Sequence, residues 1–432
     1  MIDATQVTTE PDGAPRLASL DILRGVAILG ILFMNIEAMG GPLNAFFLQD
    51  PRPLGWTGAD QIAWWLKDVL AEGTARCLLE MLFGAGMVIL TDRAATRMGE
   101  WRVVRAYAWR NLVLVLFGLA HVFLLLWPGD ILHTYGLAAL LVVGLRRLRP
   151  RLLLTIGLVL AVGQMVGAGS ATIGGAMERQ AVTALRAKPA PTATDRQRIA
   201  AFDKGEAAER KDRAEALARV ATEDADRRGS GRTWVRSLWT GFLWVEGQFL
   251  EVLFVWEAAS TMLIGAALFK WGVLQGARSR RFYLRMTAIG YAIGLPLRWW
   301  GAWALTRFDH APSLSFAFGE WGRLAMTLGH LGTVVLVART ASGARLLRPF
   351  AAAGRTALTI YVLQTIVTMW VLYPPWGFAL YGRQGWVALM LTALAIDAAL
   401  LAWAVWWTRR FAIAPVEWAW RSAVAGRALP WR

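Results

Sequence analysis

The feature that most constrains this chain is a repeated pattern. Apolar runs of roughly 20 residues are separated by short segments crowded with arginine. Wound as a helix, such a run matches the hydrocarbon thickness of a bilayer, where only helices and closed barrels satisfy the backbone. Ten runs can be read, at residues 20–39, 73–91, 104–127, 131–147, 152–173, 246–269, 283–304, 317–338, 355–373 and 385–408. The fold class expected is an all-α integral membrane protein of about ten transmembrane helices. Residues 60–71 (DQIAWWLKDVLA) are too polar to span and read as an interfacial amphipathic helix. Tryptophans near the ends of the runs (Trp64, Trp65, Trp101, Trp109, Trp127, Trp299, Trp300, Trp406, Trp407) suit the interfacial belts.

The charge decides orientation. The formal net charge of +16 is almost entirely arginine, with only five lysines. Arginines gather at 92–105, 146–151, 277–281, 339–348 and from Arg409 onward. With ten spans all of these segments fall on one side, the cytoplasm, together with both termini. Short membrane loops therefore account for the arginines, and no nucleic-acid partner is expected. The single cysteine, Cys77, excludes an intrachain disulfide and a cysteine metal site. The first 17 residues carry Glu10 and Asp12 and no apolar core. They read as a cytoplasmic tail and not a secretory signal.

Four regions follow: the tail (1–19), a first transmembrane half (20–176), a polar insertion (177–236) and a second transmembrane half (237–432). The insertion holds 14 basic and 10 acidic residues and reads as a charged helix from about Thr194 to Arg228, with i,i+4 pairs Glu206/Arg210 and Glu209/Arg213. It is placed on the outer side, as a solvated or oligomer-contacting hairpin or as a lid. Gly163-x-x-x-Gly167 and Gly290-x-x-x-Gly294 offer close helix approach. Such packing faces and the exposed insertion permit a homodimer without requiring one.

Polar side chains inside apolar runs need an internal partner or a role. Asp21 suits the N-terminus of the first helix, and Arg24 can reach the cytoplasmic headgroups. Asn35 lies 11 residues beyond Arg24, roughly 16 Å along a helix, and is either helix–helix glue or a site group. The stretch GLAHVFLLLWPGDILHTYG (118–136) brings His121, Asp130 and His133 to one turn. A carboxylate beside an imidazole is general-base architecture, while Asp130 also stands where a cap is needed. No further ligand pattern supports Zn²⁺, and no metal is expected. Glu80, Glu246, Glu251, Glu257, His330, Gln364 and Asp397 also interrupt the runs and suggest a polar cavity. Arg298 and Arg323 are candidate partners for Glu246 or Glu320.

LDILRGVAILGILFMNI (20–36), LEMLFGAGMVI (79–89), the 118–136 stretch, MLIGAALFKWGVL (262–274), GRTALTIYVLQT (354–365) and APVEWAWRSAVAG (414–426) follow in that order. Together they resemble the YeiB-type bacterial inner-membrane family, whose C-terminal half was long classed as a domain of unknown function. The N-terminal half is similar to transmembrane acyltransferases, namely the heparan-α-glucosaminide N-acetyltransferase type and the bacterial membrane O-acyltransferases. That resemblance implies transfer of an acyl group from cytoplasmic acyl-CoA or acetyl-CoA to an acceptor at the outer face, a sugar, lipid or small metabolite. It places Arg24 near the CoA and Asn35 at the reaction centre. The O-acyltransferases have histidine at the position of Asn35. The N-acetyltransferase type has a catalytic histidine where this chain has Phe46. A carboxamide is no general base, so His121 or His133, oriented by Asp130, is the expected base. The alternatives are a transporter or flippase for an amphipathic or lipid-linked substrate, using Glu80, Glu257, His330 and Asp397, and a membrane assembly protein.

Overall fold

The computed structural model describes residues 18–96, 98–248, 250–308 and 313–431. Most of the expected tail (1–17) lies outside them. Among the described residues the chain is helical throughout, without a strand. The helices are α1 (Ala18–Gly40), α2 (Leu43–Leu48), α3 (Gly58–Leu66), α4 (Thr74–Ala95), α5 (Glu100–Leu125), α6 (Leu132–Val142), α7 (Pro150–Arg186), α8 (Ala193–Arg228), α9 (Gly231–Gly247), α10 (Leu250–Lys270), α11 (Arg280–Thr306), α12 (Gly319–Ala338), α13 (Ala341–Arg355), α14 (Ala357–Ile366), α15 (Trp386–Thr408) and α16 (Pro415–Ala425).

Among the described residues seven helices are long and apolar enough to cross a membrane: Ser19–Gly40, Gly58–Ala95, Glu100–Leu125, Pro150–Arg186, Leu250–Lys270, Gly319–Ala338 and Trp386–Thr408. The pair Ala341–Arg355 and Ala357–Leu372 passes the same test together but is bent by 79°. The expected span at 131–147 is the shorter apolar helix Leu132–Leu145. The protein is multi-pass.

Apolar side chains gain little by leaving lipid for one another, so close helix packing rests on small residues. Two crossings show this on both partners. A Cβ on Gly25 of α1 would lie 1.9 Å from the Phe350 carbonyl oxygen of α13, and one on Gly354 would lie 1.8 Å from that of Asp21. Likewise Gly84 of α4 faces the Met262 oxygen at 1.8 Å, and Gly265 of α10 faces the Met81 oxygen at 2.1 Å. The two glycine spacings noticed in the sequence part company. Gly290 and Gly294 of α11 press on Ala325 and Met326 of α12, whereas nothing stands within 4 Å of a Cβ on Gly167.

The arginine-rich segments meet at one end of the bundle. Glu100 pairs with Arg146 and Arg147. Lys270 reaches the Arg146 and Leu148 carbonyls at 2.6 and 3.1 Å. Arg339 reaches the Gly276 carbonyl at 2.6 Å. Glu417 of α16 takes the Leu358 amide at 2.8 Å, also accepts from Thr359, and so caps the start of α14. Burial raises the Glu417 carboxyl above its ordinary pKa, against the lowering effect of those hydrogen bonds.

The insertion differs from the expected boundary. Residue 177 falls inside α7, a single helix of 37 residues, roughly 55 Å long against a hydrocarbon core of about 30 Å. Beyond its apolar part α7 continues out and returns as α8, which opens on a Thr192–Asp195 capping box. Glu206 lies nearer Arg179 of α7 (3.1 Å) than Arg210 (3.9 Å). The base of the hairpin is anchored at the far end of α1. Arg227, fully buried, donates to the carbonyls of Ala38 (3.0 Å), Gly41 (2.6 Å) and Met39 (2.5 Å), against the rings of Trp234 and Tyr381. These are carbonyls that a helix C-terminus leaves unpaired, where a cation is favoured. One turn earlier, Glu223 accepts from the Leu43 and Asn44 amides at 2.7 and 2.8 Å and caps α2.

Two stability outcomes are expected, both read as melting of the detergent-purified protein. Gly84→Val should destabilise strongly, because a carbonyl occupies its Cβ position, whereas Gly167→Ala should be neutral or stabilising by up to ~1 kcal/mol. Arg227→Ala should cost about 3 kcal/mol, since the end of α1 and Glu223 lose a buried partner together.

Candidate functional site

At the end of the bundle opposite the arginines, α5 ends at Leu125 and the Trp127–Ile131 turn leads into α6. Asp130 in that turn bonds both the helix start and the imidazoles. Its Oδ2 accepts from the Leu132 amide (2.8 Å), the His133 amide (3.0 Å) and His133 Nδ1 (2.9 Å). Its Oδ1 accepts from His121 Nδ1 at 2.8 Å and is approached by the Tyr361 hydroxyl at 3.4 Å. The group therefore caps α6 and orients two imidazoles. Burial alone would raise its pKa, but the hydrogen bonds from His121 and His133 and their charge outweigh this and hold it well below the usual carboxylate range. Gly118 makes the arrangement possible, since a Cβ there would sit 2.4 Å from the His133 amide nitrogen.

The two histidines are not equivalent. His121 has both ring nitrogens engaged, Nδ1 with Asp130 and Nε2 with Thr365 Oγ1 at 2.9 Å. His133 uses only Nδ1, and its buried Nε2 makes no hydrogen bond. That nitrogen points to Glu251 (3.4 Å) and Glu246 (3.7 Å). Glu246 lies near the end of α9 and not within a sixth span, because the helix breaks at Gln248 and α10 begins at Leu250.

His133 and Asp130 line a cavity of about 120 Å³ with Asn35, Glu80, Glu246 and Glu251, and with Arg76, Tyr135 and Phe46. Asn35, on α1, makes no side-chain hydrogen bond among the described residues and is open to a ligand in the cavity. Behind one wall runs an ion network. Arg76 binds Glu257 at 2.6 Å and lies 3.7 Å from Glu80. Arg323 bridges Glu80 (3.0 Å), Glu257 (3.1 Å) and Glu320 (2.8 Å). Glu320 is thus the partner expected for Arg323, while Arg298 approaches Asp68 at 4.0 Å.

Other candidates lie elsewhere. Gln364 donates to Asp397 (2.9 Å) and to the Ile28 carbonyl (3.2 Å), midway along α1. His330 bonds the Leu70 carbonyl (2.8 Å) and the Tyr291 hydroxyl (3.0 Å). Arg24 stands at the arginine-rich end, partly exposed and paired with Asp21 at 3.3 Å. Two residues that the sequence reading passed over join it. Arg110 of α5 stacks 3.9 Å from the Trp420 ring centroid, and Arg24 and Arg421 act on it as like charges. Arg76, Arg110 and Arg421 all sit within or beside apolar runs, where an arginine is itself a signal.

Removing the hub should be costly. Asp130→Ala leaves two amides and two imidazoles without their acceptor and is expected to lower stability by about 2–4 kcal/mol. The Asp130 carboxyl has its pKa lowered by folding. The contribution is complete above the ordinary aspartate range and is lost as pH falls below it. Melting of wild type and variant from neutral to acid pH should therefore converge only at the acid end.

With this geometry in place, relatives can be compared. The chain is 30% identical to the uncharacterized protein YeiB of Escherichia coli, over 96% of this chain and 98% of that one. It is 28% identical to the uncharacterized protein YxaH of Bacillus subtilis, over 94% of each. A 39.9 kDa uncharacterized protein from the amylase 3' region of Bacillus acidopullulyticus is 24% identical over 96% of this chain and 95% of its own. Residues 268–427 match a family model described as a protein of unknown function, DUF418. No solved structure matches. The coverage is end to end, and the chain belongs to the YeiB family of multi-pass membrane proteins.

Proposed function

We propose that this protein is a ten-span acyltransferase of the bacterial inner membrane, moving an acyl group from cytoplasmic acyl-CoA to an acceptor at the outer face. The observation that carries the reading is the shared cavity of Asn35, Asp130 and His133, drawn from elements far apart in sequence. The arginine-rich segments at the other end support a cytoplasmic assignment for that end. Alternation of α1, α4, α5, α6, α7, α10, α11, α12, α14 and α15 between the two ends supports ten crossings.

The residues fit the parts of an acyl-CoA. Arg24, with Arg110 and Arg421 near enough to act on one another, offers guanidinium donors to a polyphosphate through charge-assisted hydrogen bonds. The cavity is close in size to one that holds benzene, about 150 Å³, which suits a short acyl group such as acetyl. There the Asn35 amide is placed to donate to the thioester carbonyl oxygen as charge develops. His133 Nε2, backed by Asp130, is the point at which the acceptor is activated. The acceptor oxygen or nitrogen bonds the acyl carbon, the carbon–sulfur bond breaks, and the acceptor's proton ends on the departing thiolate. His121, with both nitrogens engaged, positions Asp130.

Transport is the second reading, and it takes its support from the buried Arg76–Glu80–Glu257–Arg323 network beside the same cavity. Calorimetry of the detergent-purified protein with acetyl-CoA separates the two. Saturable binding is expected, weakened at least tenfold by Arg24→Ala and unchanged by His133→Ala. With radiolabelled acetyl-CoA and membrane vesicles, His133→Ala should instead abolish transfer of label to membrane or glycan fractions. Absence of binding to acetyl-CoA and to a longer acyl-CoA would overturn acyl transfer.

A further inference from the structure

We propose that His133, Glu246 and Glu251 form a binding site for a divalent cation of the zinc class in the wall of the cavity. The site lies where α6, the end of α9 and the start of α10 converge. One ligand atom from each residue falls within 4.8 Å of the others.

Three observations support a cation there. The first is distance. His133 Nε2 stands 3.4 Å from Glu251 and 3.7 Å from Glu246, and makes no hydrogen bond to either. Direct N–H···O bonds close to about 2.7–3.2 Å. Ligands at ~2.0–2.1 Å around a tetrahedral Zn²⁺ stand ~3.3 Å apart, which the two imidazole–carboxylate pairs already approach, while the whole set lies within 4.8 Å and would draw together on the ion.

The second is orphaned polar atoms. His133 is 5% exposed, and its Nε2 lacks a hydrogen-bond partner, as do Oε1 of Glu246 and Oε1 of Glu251. Buried polar atoms left unpaired cost free energy, and the His133 Nε2 and Glu246 Oε1 orphans face each other at 3.7 Å, with the unpaired Oε1 of Glu251 on a carboxylate whose other oxygen faces the same nitrogen, a set that indicates a missing ligand. The other face of the ring is already prepared. Nδ1 binds Asp130 at 2.9 Å, which fixes the tautomer with the Nε2 lone pair directed at the two glutamates.

The third is charge. Asp130, Glu246 and Glu251 surround one imidazole, while nearby Arg76 is engaged by Glu257 and Glu80. A proton on Nε2 offsets one of three negative charges, and a divalent cation offsets two. Imidazole with carboxylates favours zinc over the oxygen-seeking Mg²⁺ and Ca²⁺.

The inference rests on the cavity of the acyl-transfer reading but not on its chemistry. Within that reading, a cation held by His133, Glu246 and Glu251 would supply Lewis-acid activation of the acceptor hydroxyl. A free oxygen of Glu246 or Glu251 would then relay the acceptor's proton to the departing thiolate, with His133 serving as a ligand.

The full-length protein, purified in detergent and stripped with chelator, is titrated with ZnCl₂ by calorimetry, and its metal content is measured by mass spectrometry. One zinc per chain is expected, with affinity falling at least tenfold in His133→Ala, Glu251→Gln and Glu246→Gln. His330→Ala should bind as wild type. Glu246 is the most exposed of the three ligands, so its variant is the least disturbing to folding, and melting checks each one. Substoichiometric metal with no zinc titration, or affinity unchanged in Glu246→Gln and His133→Ala, would overturn the site. Zinc binding without binding of acetyl-CoA or a longer acyl-CoA would keep the site and remove acyl transfer, and acyl-CoA binding without zinc binding would remove the site and keep acyl transfer.

Discussion

The bundle depends on backbone touching backbone at paired glycines. In lipid, apolar side chains gain little by contacting one another, so specificity comes from how closely helices approach and from the polar groups caught between them. Gly25 with Gly354 sets α13 against α1, and Gly84 with Gly265 sets α10 against α4. The second crossing brings Glu80 and Glu257 together, and so requires Arg76 and Arg323 between them. Charges buried at that depth hold only in mutual compensation, so the ion network is a consequence of the packing and a lock upon it.

The same logic explains how the insertion is joined to the bundle. Helix α1 stops at Gly40 with its terminal carbonyls facing inward, and lipid offers them no donor. Arg227 supplies the donors from α8, 189 residues away at Ala38. Trp234 and Tyr381, edge to face with each other, both lie against the guanidinium. The α7–α8 hairpin is thus coupled through its base to the turn of α1 next to Asn35, while its distal part stays solvated and ion-paired.

Much of this was legible in the sequence, because runs of apolar residues and isolated polar ones inside them are one-dimensional signals. The quoted stretches turn out to meet in pairs. LDILRG packs on GRTALT through Gly25 and Gly354, PVEW caps the start of α14 through Glu417, and LEMLFGAG crosses MLIGAALF through Gly84 and Gly265. Asp130 makes both sets of contacts that its position allowed, to the start of α6 and to the imidazoles. What could not be read was which histidine keeps a free nitrogen, because Thr365 reaches His121 from 244 residues away. Glu246 and Glu251 looked like members of one span, yet a helix break between them aims both at His133. The long α7 hid in the same way, since its polar second half reads as loop until α8 is seen to pair with it.

The separation of polar groups along α1 is the last constraint on mechanism. Arg24 and Asn35 mark opposite ends of one helix, roughly 16 Å apart, with the Gln364–Asp397 pair touching Ile28 between them. A soluble enzyme has no reason to hold a proposed anion site and a proposed reaction centre that far apart on one element. A donor whose charged end must stay in the cytoplasm while its reactive end reaches a cavity near the other face requires such spacing. The arrangement therefore favours a long, charged-headed donor over a compact transported solute. Under the proposed acyl transfer, the chemistry would fall to Asn35, His133 and the carboxylates around it, and the arginine-rich end would hold the donor.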